Sequence, residues 1–256
     1  MTDAEIRAED DRLITGDVAR AVEERELIAY YQPVMELQSN KVVAAEALVR
    51  WTMPDSTVVP AALFVPSLER TDTITGLDWY MAEEVCTFLE EAAGTPACVP
   101  TSLNFSVRHA QDPDFATKLI ETAKWHNVEP RLVRAEYQAA SLLACDPAMD
   151  ALFASIVAHG FTGTVDNFSD GPDHLEALAD KGVTVVKVAS ACWRNATDAE
   201  LKDLLGVVDR RGLTISCEGV EQASEARRLR AIGFRYAQGY HFAVPQDRTS
   251  FEAFCA

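Results

Sequence analysis

Eight β-rich runs recur along the chain with helical patterns between most of them, and this alternation constrains the fold more than any other feature. Helical patterns at 146–160, 198–212 and 224–233 each end at a glycine, which is a common helix stop. Eight strands alternating with helices in 256 residues predict an α/β fold, a (β/α)8 TIM-barrel-like domain. The predicted strands occupy residues 28–37, 41–51, 97–107, 131–139, 163–168, 183–190, 213–220 and 235–242.

The first two predicted strands are joined by little more than the residues QSNK. So short a connection is typical of a hairpin, so we expect one antiparallel strand in an otherwise parallel barrel. Residues 3–28 have a helical pattern. We therefore divide the chain into an N-terminal helical segment, 1–24, and a barrel domain, 25–256.

Composition excludes several classes of function. The formal net charge of −17 disfavours a nucleic-acid polymer or an anionic lipid surface as partner. The chain has no apolar run of the length that a membrane span needs, and MTDAEIRAEDD does not resemble a signal peptide. The 6 cysteines form no CxxC pair, which indicates free thiols in a reducing compartment and a cytoplasmic protein.

Polar side chains stand toward the carboxyl ends of most of the predicted strands. In a (β/α) barrel these ends converge on one face, where the active site is built. Carboxylate and amide oxygens are ligands suited to Mg²⁺ or Mn²⁺, and a lysine beside them can bind a phosphate oxygen or orient a water. Two such ions can clamp a phosphodiester during in-line attack, so the pattern predicts metal-assisted phosphodiester hydrolysis. The residues are Glu46, Asn104, Glu136, Asp166, Lys187, Glu218 and Gln238.

Four segments carry a resemblance to a known family. YYQPVMELQSNKVVAAEALVRW resembles the opening of the EAL-domain family and includes the triplet EAL at Glu46, Ala47 and Leu48. SLNFSV, CEGVEQ and AQGYHFAVP resemble three later family segments in the same order, so the likeness covers roughly residues 25–250. The resemblance implies a barrel fold and, for active members, linearisation of cyclic di-GMP to pGpG with two Mg²⁺ or Mn²⁺ ions.

The resemblance also implies a role for each matching residue. Glu46, Asn104, Glu136 and Asp166 match the ligands of the first metal, and Asp166 matches the acid that bridges both metals in active members. Glu218 matches a glutamate of the second metal and the water, and Lys187 matches a lysine near the nucleophilic water; we treat both as catalytic candidates. The positions that match contacts to guanine or phosphate are Gln32, Leu48, Arg50 and Gln238.

The stretch VDNFSDG, residues 165–171, departs from the family's DDFGTG loop. Asn167 replaces the second aspartate, and an amide offers a metal only one neutral oxygen. Ala139 and Ala189 stand where the family has acids, while Ser169 and Pro172 change the loop itself. These departures predict a weak second metal site and impaired or lost hydrolysis. New acids at positions 170 and 173 leave open a replacement ligand.

Three functions stay open on this sequence. The first is a degenerate EAL domain that binds cyclic di-GMP, and the second is a weak or conditional metal-dependent phosphodiesterase. The third is a protein-interaction regulator that no longer binds nucleotide. For the third, a homodimer or a protein partner would use residues 167–175, since the family resemblance implies dimerisation near this loop.

Overall fold

The computed structural model describes residues 14, 16–53, 55–71 and 73–256. Nine strands form one sheet: β1 (Leu27–Glu36), β2 (Lys41–Thr52), β3 (Val58–Pro60), β4 (Thr101–Asn104), β5 (Val133–Gln138), β6 (Thr162–Phe168), β7 (Val185–Val188), β8 (Thr214–Cys217) and β9 (Tyr236–Gln238).

Helices follow most of the strands. They are α1 (16–23), α2 (Val65–Arg70), α3 (Ile74–Glu91), α4 (Phe115–Trp125), α5 (Ala139–Leu143), α6 (Pro147–Ala158), α7 (Pro172–Asp180), α8 (Ser190–Asn195), α9 (Asp198–Arg211), α10 (Ala223–Ile232) and α11 (Arg248–Cys255). Short 3₁₀ helices cover Ala61–Leu63, Val107–Gln111 and Pro130–Leu132.

The sheet closes into a barrel, which confirms the predicted α/β TIM-barrel-like class. Its order is β1-β9-β8-β7-β6-β5-β4-β2-β3, and the additional pairing of β1 with β2 closes the ring. β1 runs antiparallel to both β2 and β9, whereas the neighbours from β2 through β4 to β9 are parallel. The expected antiparallel strand is therefore β1.

Three details of the predicted elements are wrong. The helix predicted for residues 3–28 does not reach 28, because Arg25 adopts a left-handed φ of 57° and β1 begins at Leu27; residues 1–13 lie outside the described part of the chain. The predicted strand at 97–107 is strand only over Thr101–Asn104. The third detail is β3, an edge strand of 3 residues that pairs antiparallel with β2 and that no periodicity predicts.

Side chains of the barrel strands alternate between the helix layer and the barrel interior. In β5, Tyr137 packs toward the helices, with its ring centroid 6.3 Å from that of Phe153 in α6. Its neighbours Glu136 and Gln138 therefore face inward. This alternation places polar side chains inside the barrel and the apolar core between strands and helices. Within the described residues, no helix combines the length and apolarity needed to cross a bilayer.

Candidate functional site

Lys187 lies at the centre of a group of carboxylates at the carboxyl end of the barrel. Its Nζ is 2.8 Å from Glu136 Oε1 and 2.9 Å from both Glu46 Oε2 and Glu218 Oε1. Asp166 Oδ1 is 3.6 Å away, too far for a hydrogen bond. An ammonium has three N–H donors, so three carboxylates occupy all of them and none remains for Asp166.

Register explains why these residues meet. Glu46 pairs with Gln32 across the antiparallel β1–β2 ladder, and Asn104 pairs with Glu136 across the parallel β4–β5 ladder. Gln138 pairs with Asp166 in the next ladder. Because neighbouring parallel strands end at the same edge, their last inward side chains converge.

Amide side chains surround the carboxylates. Asn104 Nδ2 donates to Glu46 Oε1 at 3.1 Å, and Gln238 Nε2 donates to Glu46 Oε2 at 2.7 Å. Gln238 Nε2 also lies 3.0 Å from Gln32 Oε1, and Gln32 Nε2 donates to the carbonyl of Ala243. Hydrogen bonds therefore join Gln32, Glu46, Asn104 and Gln238 into one network with the other carboxylates.

Burial changes the acid strength of this cluster. It raises the pKa of Glu136 to about 7 against the opposing charge of Lys187. Burial also raises the pKa of Glu218 well above its ordinary value, with Lys187 again opposing and Asp166 reinforcing. Burial also tends to raise the pKa of Asp166. The charge of Lys187 and the hydrogen bonds to the carboxylate outweigh this effect, so the pKa of Asp166 is lowered. The same setting thus lowers the pKa of Asp166 and raises the pKa of Glu218.

The end of β6 is irregular, and this irregular part lies in the altered stretch VDNFSDG, residues 165–171. The β6–β7 register shifts between Val165 and Phe168, and Asn167 adopts a left-handed φ of 55°, which asparagine tolerates better than most residues. Asp166 faces the carboxylate cluster, whereas Asn167 is exposed. Gln138 Nε2 donates to Asp166 Oδ2 at 3.0 Å, a contact that sequence reasoning missed.

The cluster has several features of a site for a divalent cation. Glu136 Oε2 and Asp166 Oδ1 are buried and have no hydrogen-bond partner, and four carboxylates face a single ammonium. Excess buried negative charge and unpartnered oxygens are the setting that a hard cation requires. Within the described residues, however, no group of three or more His, Cys, Asp and Glu side chains is arranged to hold a metal ion as it stands. These oxygen ligands thus fit one hard cation if Lys187 gives up some of its contacts with the carboxylates.

A cleft of about 420 Å³ opens beside the cluster. The predicted residues Gln32, Glu46, Leu48, Glu218 and Gln238 line it. Arg50 lies outside its lining: the guanidinium stacks 5.7 Å from the ring centroid of Tyr30, donates to the carbonyl of Val49 and is half-buried, which lowers its pKa.

Sequence reasoning missed four residues of the cleft, Gly219, Glu221, Gly239 and Tyr240. Tyr240 is 66% exposed, so the face of its ring is open to a ligand. The segment AQGYHFAVP indicates this region, but the family resemblance implies a ligand contact only for Gln238.

Two loops of the cleft touch through a glycine. Gly239 has a φ of 155°, and a Cβ there would lie 2.2 Å from the carbonyl oxygen of Val220. The amide of Val220 donates to the carbonyl of Gln238, and the amide of His241 donates to the carbonyl of Val220. Only glycine allows this close approach, which fixes the Glu218 loop against Gln238.

The other altered positions surround the end of β6. Ala139 is buried at the start of α5, and the amide of Ala189 donates to the carbonyl of Phe168 at 2.9 Å. Asp170 is exposed and lies 3.6 Å from His174. Neither Asp170 nor Asp173 pairs with Lys187 among the described contacts.

Comparison with known proteins agrees with this geometry. An uncharacterised protein of Synechocystis, sll1895, is 26% identical over 243 residues, which are 93% of this chain but 35% of that protein. The cyclic di-GMP phosphodiesterase RocR of Pseudomonas aeruginosa is 24% identical over 248 residues, 94% of this chain and 63% of RocR. The chain thus spans less than two thirds of either relative.

Solved structures share the fold. The FimX EAL domain from Pseudomonas aeruginosa, bound to c-di-GMP, superposes with a TM-score of 0.80 at 19% identity, covering 91% of this chain and 96% of that one. The EAL-domain model matches residues 15–245, nearly the whole chain. On its sequence and its barrel, this chain belongs to the EAL-domain family, which includes cyclic di-GMP phosphodiesterases.

Proposed function

We propose that this chain binds cyclic di-GMP across the carboxyl end of its barrel and that its ability to hydrolyse the nucleotide is impaired or lost. The observation that carries the second half is the 3.0 Å hydrogen bond from Gln138 Nε2 to Asp166 Oδ2. It commits one Asp166 oxygen to a neutral amide, while the adjacent Asn167 is exposed and uncharged.

The cleft supports the binding half. Gln238 lines it and keeps a buried Oε1 that has no hydrogen-bond partner, and guanine carries N–H donors that such an acceptor can recognise. The open ring of Tyr240 offers a stacking surface for a base, a contact worth about 1–3 kcal/mol. Arg50 is a nearby cation for a phosphate.

The negative charge of the carboxylate cluster should make nucleotide binding dependent on a cation. Cyclic di-GMP carries two phosphodiester charges, and the cluster beside the cleft has four carboxylates for one lysine. Like charges at short range repel, so a divalent ion on Glu46, Asn104, Glu136 and Asp166 would favour nucleotide binding. Mg²⁺ or Mn²⁺ would supply charge neutralisation and polarisation of a phosphate oxygen when bound.

Hydrolysis needs a group that accepts a proton from water. Glu218 is our candidate for this role, but Lys187 Nζ lies 2.9 Å from its Oε1, and an ion-paired oxygen is a weaker proton acceptor. The remaining residues can therefore orient a nucleotide more readily than they can activate a water.

A weak, conditional phosphodiesterase is the second candidate. Glu136 Oε2 and Asp166 Oδ1 are buried without partners, so a cation could still bind and restore part of the chemistry. Production of pGpG in Mn²⁺ that Glu46→Ala abolishes would favour this candidate.

Calorimetric titration with cyclic di-GMP, with and without Mg²⁺, tests the binding half. We expect micromolar or tighter binding in Mg²⁺ that weakens in Arg50→Ala and Tyr240→Ala. Trp125→Ala is the matched control, because Trp125 is 81% exposed and does not line the cleft. Absence of binding in both buffers would overturn the proposal. Cytoplasmic location and a homodimer or protein partner through residues 167–175 stay predictions.

A further inference from the structure

A second polar cavity lies inside the barrel at the end opposite to the carboxylate cluster. It measures about 100 Å³. Val185, Thr214 and Tyr236 are the first residues of β7, β8 and β9, which places the cavity at the amino-terminal end of the parallel strands. Its lining is Val34, Val43, Ala44, Arg134, Val185, Thr214, Ser216 and Tyr236. No carboxylate belongs to that lining.

Arg134 brings a positive charge into this cavity without a partner. Its Nε is buried and makes no hydrogen bond, and Arg134 forms no ion pair with any described carboxylate. Burial lowers the pKa of Arg134, and Glu136, the carboxylate that opposes this shift most, is already paired with Lys187. Arg134 is partly exposed, but its guanidinium Nε is buried without a partner, which is costly.

A second unpartnered donor lines the same cavity. Ser216 is 4% exposed, and its Oγ has no hydrogen-bond partner. Arg134 on β5 and Ser216 on β8 approach from different sides of the barrel. Since polar atoms this deeply buried are almost always satisfied, two unpartnered groups that line one cavity indicate a missing acceptor.

We propose that this cavity binds a small inorganic oxyanion of the phosphate or sulfate class, held by Arg134 and Ser216. Its volume equals roughly three water molecules at about 30 Å³ each, which admits a tetrahedral oxyanion and excludes a nucleotide. The guanidinium supplies charge-assisted hydrogen bonds and the serine hydroxyl supplies one more. This site does not depend on the proposed binding of cyclic di-GMP.

Titration with inorganic phosphate, and separately with sulfate, tests the proposal on the full chain in metal-free buffer at constant ionic strength. We expect one bound anion per chain and saturable thermal stabilisation. Arg134→Met should weaken binding on the order of tenfold or more, and Ser216→Ala should weaken it several-fold. Arg227→Met is the control, because this exposed arginine on α10 does not line the cavity.

Excess cyclic di-GMP should leave phosphate binding unchanged, which separates this site from the cleft. Should Arg134→Met fail to fold, the loss in Ser216→Ala decides. The proposal is overturned by wild-type protein that binds neither anion at millimolar concentration. Equal binding by wild type, Arg134→Met and Ser216→Ala would also overturn it, because the anion would then bind elsewhere.

Discussion

Nζ of Lys187 lies 2.9 Å from Oε1 of Glu218, so the carboxylate that we propose as the water-activating group is ion-paired with a buried ammonium. The same ammonium holds Glu46 and Glu136. A single cation thus offsets part of the charge of four carboxylates, and both stability and ligand binding should respond to its removal.

Lys187→Met is expected to destabilise the metal-free protein by about 3–5 kcal/mol at neutral pH, because it leaves buried carboxylates uncompensated. Urea unfolding in chelator measures the loss, and added Mg²⁺ should reduce it by taking over the charge. Lys118→Met is the control, since the Lys118–Asp112 pair lies at the surface, where solvent screens it and it contributes little. Equal losses in both variants would contradict the central role of Lys187.

Asn167→Asp should tighten divalent-ion binding, because it adds a second carboxylate beside Asp166. We expect a gain on the order of 10- to 100-fold in Mn²⁺ affinity or pGpG production. Asn40→Asp makes the same charge change at the same left-handed backbone, φ 54° against 55°, in the remote β1–β2 hairpin. An unchanged Mn²⁺ affinity in Asn167→Asp would count against our account of the altered loop.

Gly239→Ala should disrupt the cleft. The added Cβ would meet the carbonyl oxygen of Val220 at 2.2 Å with φ at 155°, so we expect a loss of at least about 1–3 kcal/mol and weaker nucleotide binding. Gly76→Ala, in α3 with nothing within 4 Å, should instead stabilise by about 0.5–1 kcal/mol. Thermal unfolding of the pair checks this; no difference between them would refute the close approach.

Glu225 should make stability depend on pH. Hydrogen bonding to Arg194 and to two backbone amides lowers its pKa to about 2 from an ordinary 4.5. A lowered carboxyl pKa contributes stability that is present above the unfolded value of 4.5 and is lost as pH falls toward 2. Glu225→Gln should therefore be less stable than wild type near neutrality, with the gap closing in acid.

Urea unfolding at a series of pH values measures that gap. A gap that widened as pH fell would contradict the assignment. Arg194 also donates to the carbonyl of Gly219 at 2.7 Å, so the same variant should loosen the loop that follows Glu218.

The sequence predicted the barrel because apolar alternation and helix stops are local signals. It also placed Glu46, Asn104, Glu136 and Asp166 at one rim, since parallel strands end at a common edge. The edge strand β3 could not be predicted, because a strand of 3 residues is too short to show a periodic pattern.

Contacts between distant residues could not be predicted from the sequence. The Lys187–Glu46 pair joins residues 141 positions apart, and the Gln138–Asp166 bond depends on the β5–β6 register. The places of Tyr240 and Arg134 could not be predicted either, because only the closed barrel shows which cavity each side chain lines.

The most direct test of the central claim measures cyclic di-GMP binding and pGpG formation side by side, in Mg²⁺ and in Mn²⁺, on the same preparation. We expect saturable binding with little or no pGpG, and a gain of turnover in Asn167→Asp. Rapid, complete conversion by the wild-type chain in Mg²⁺ would contradict impaired hydrolysis, and absence of binding in both ions would contradict a nucleotide-binding role.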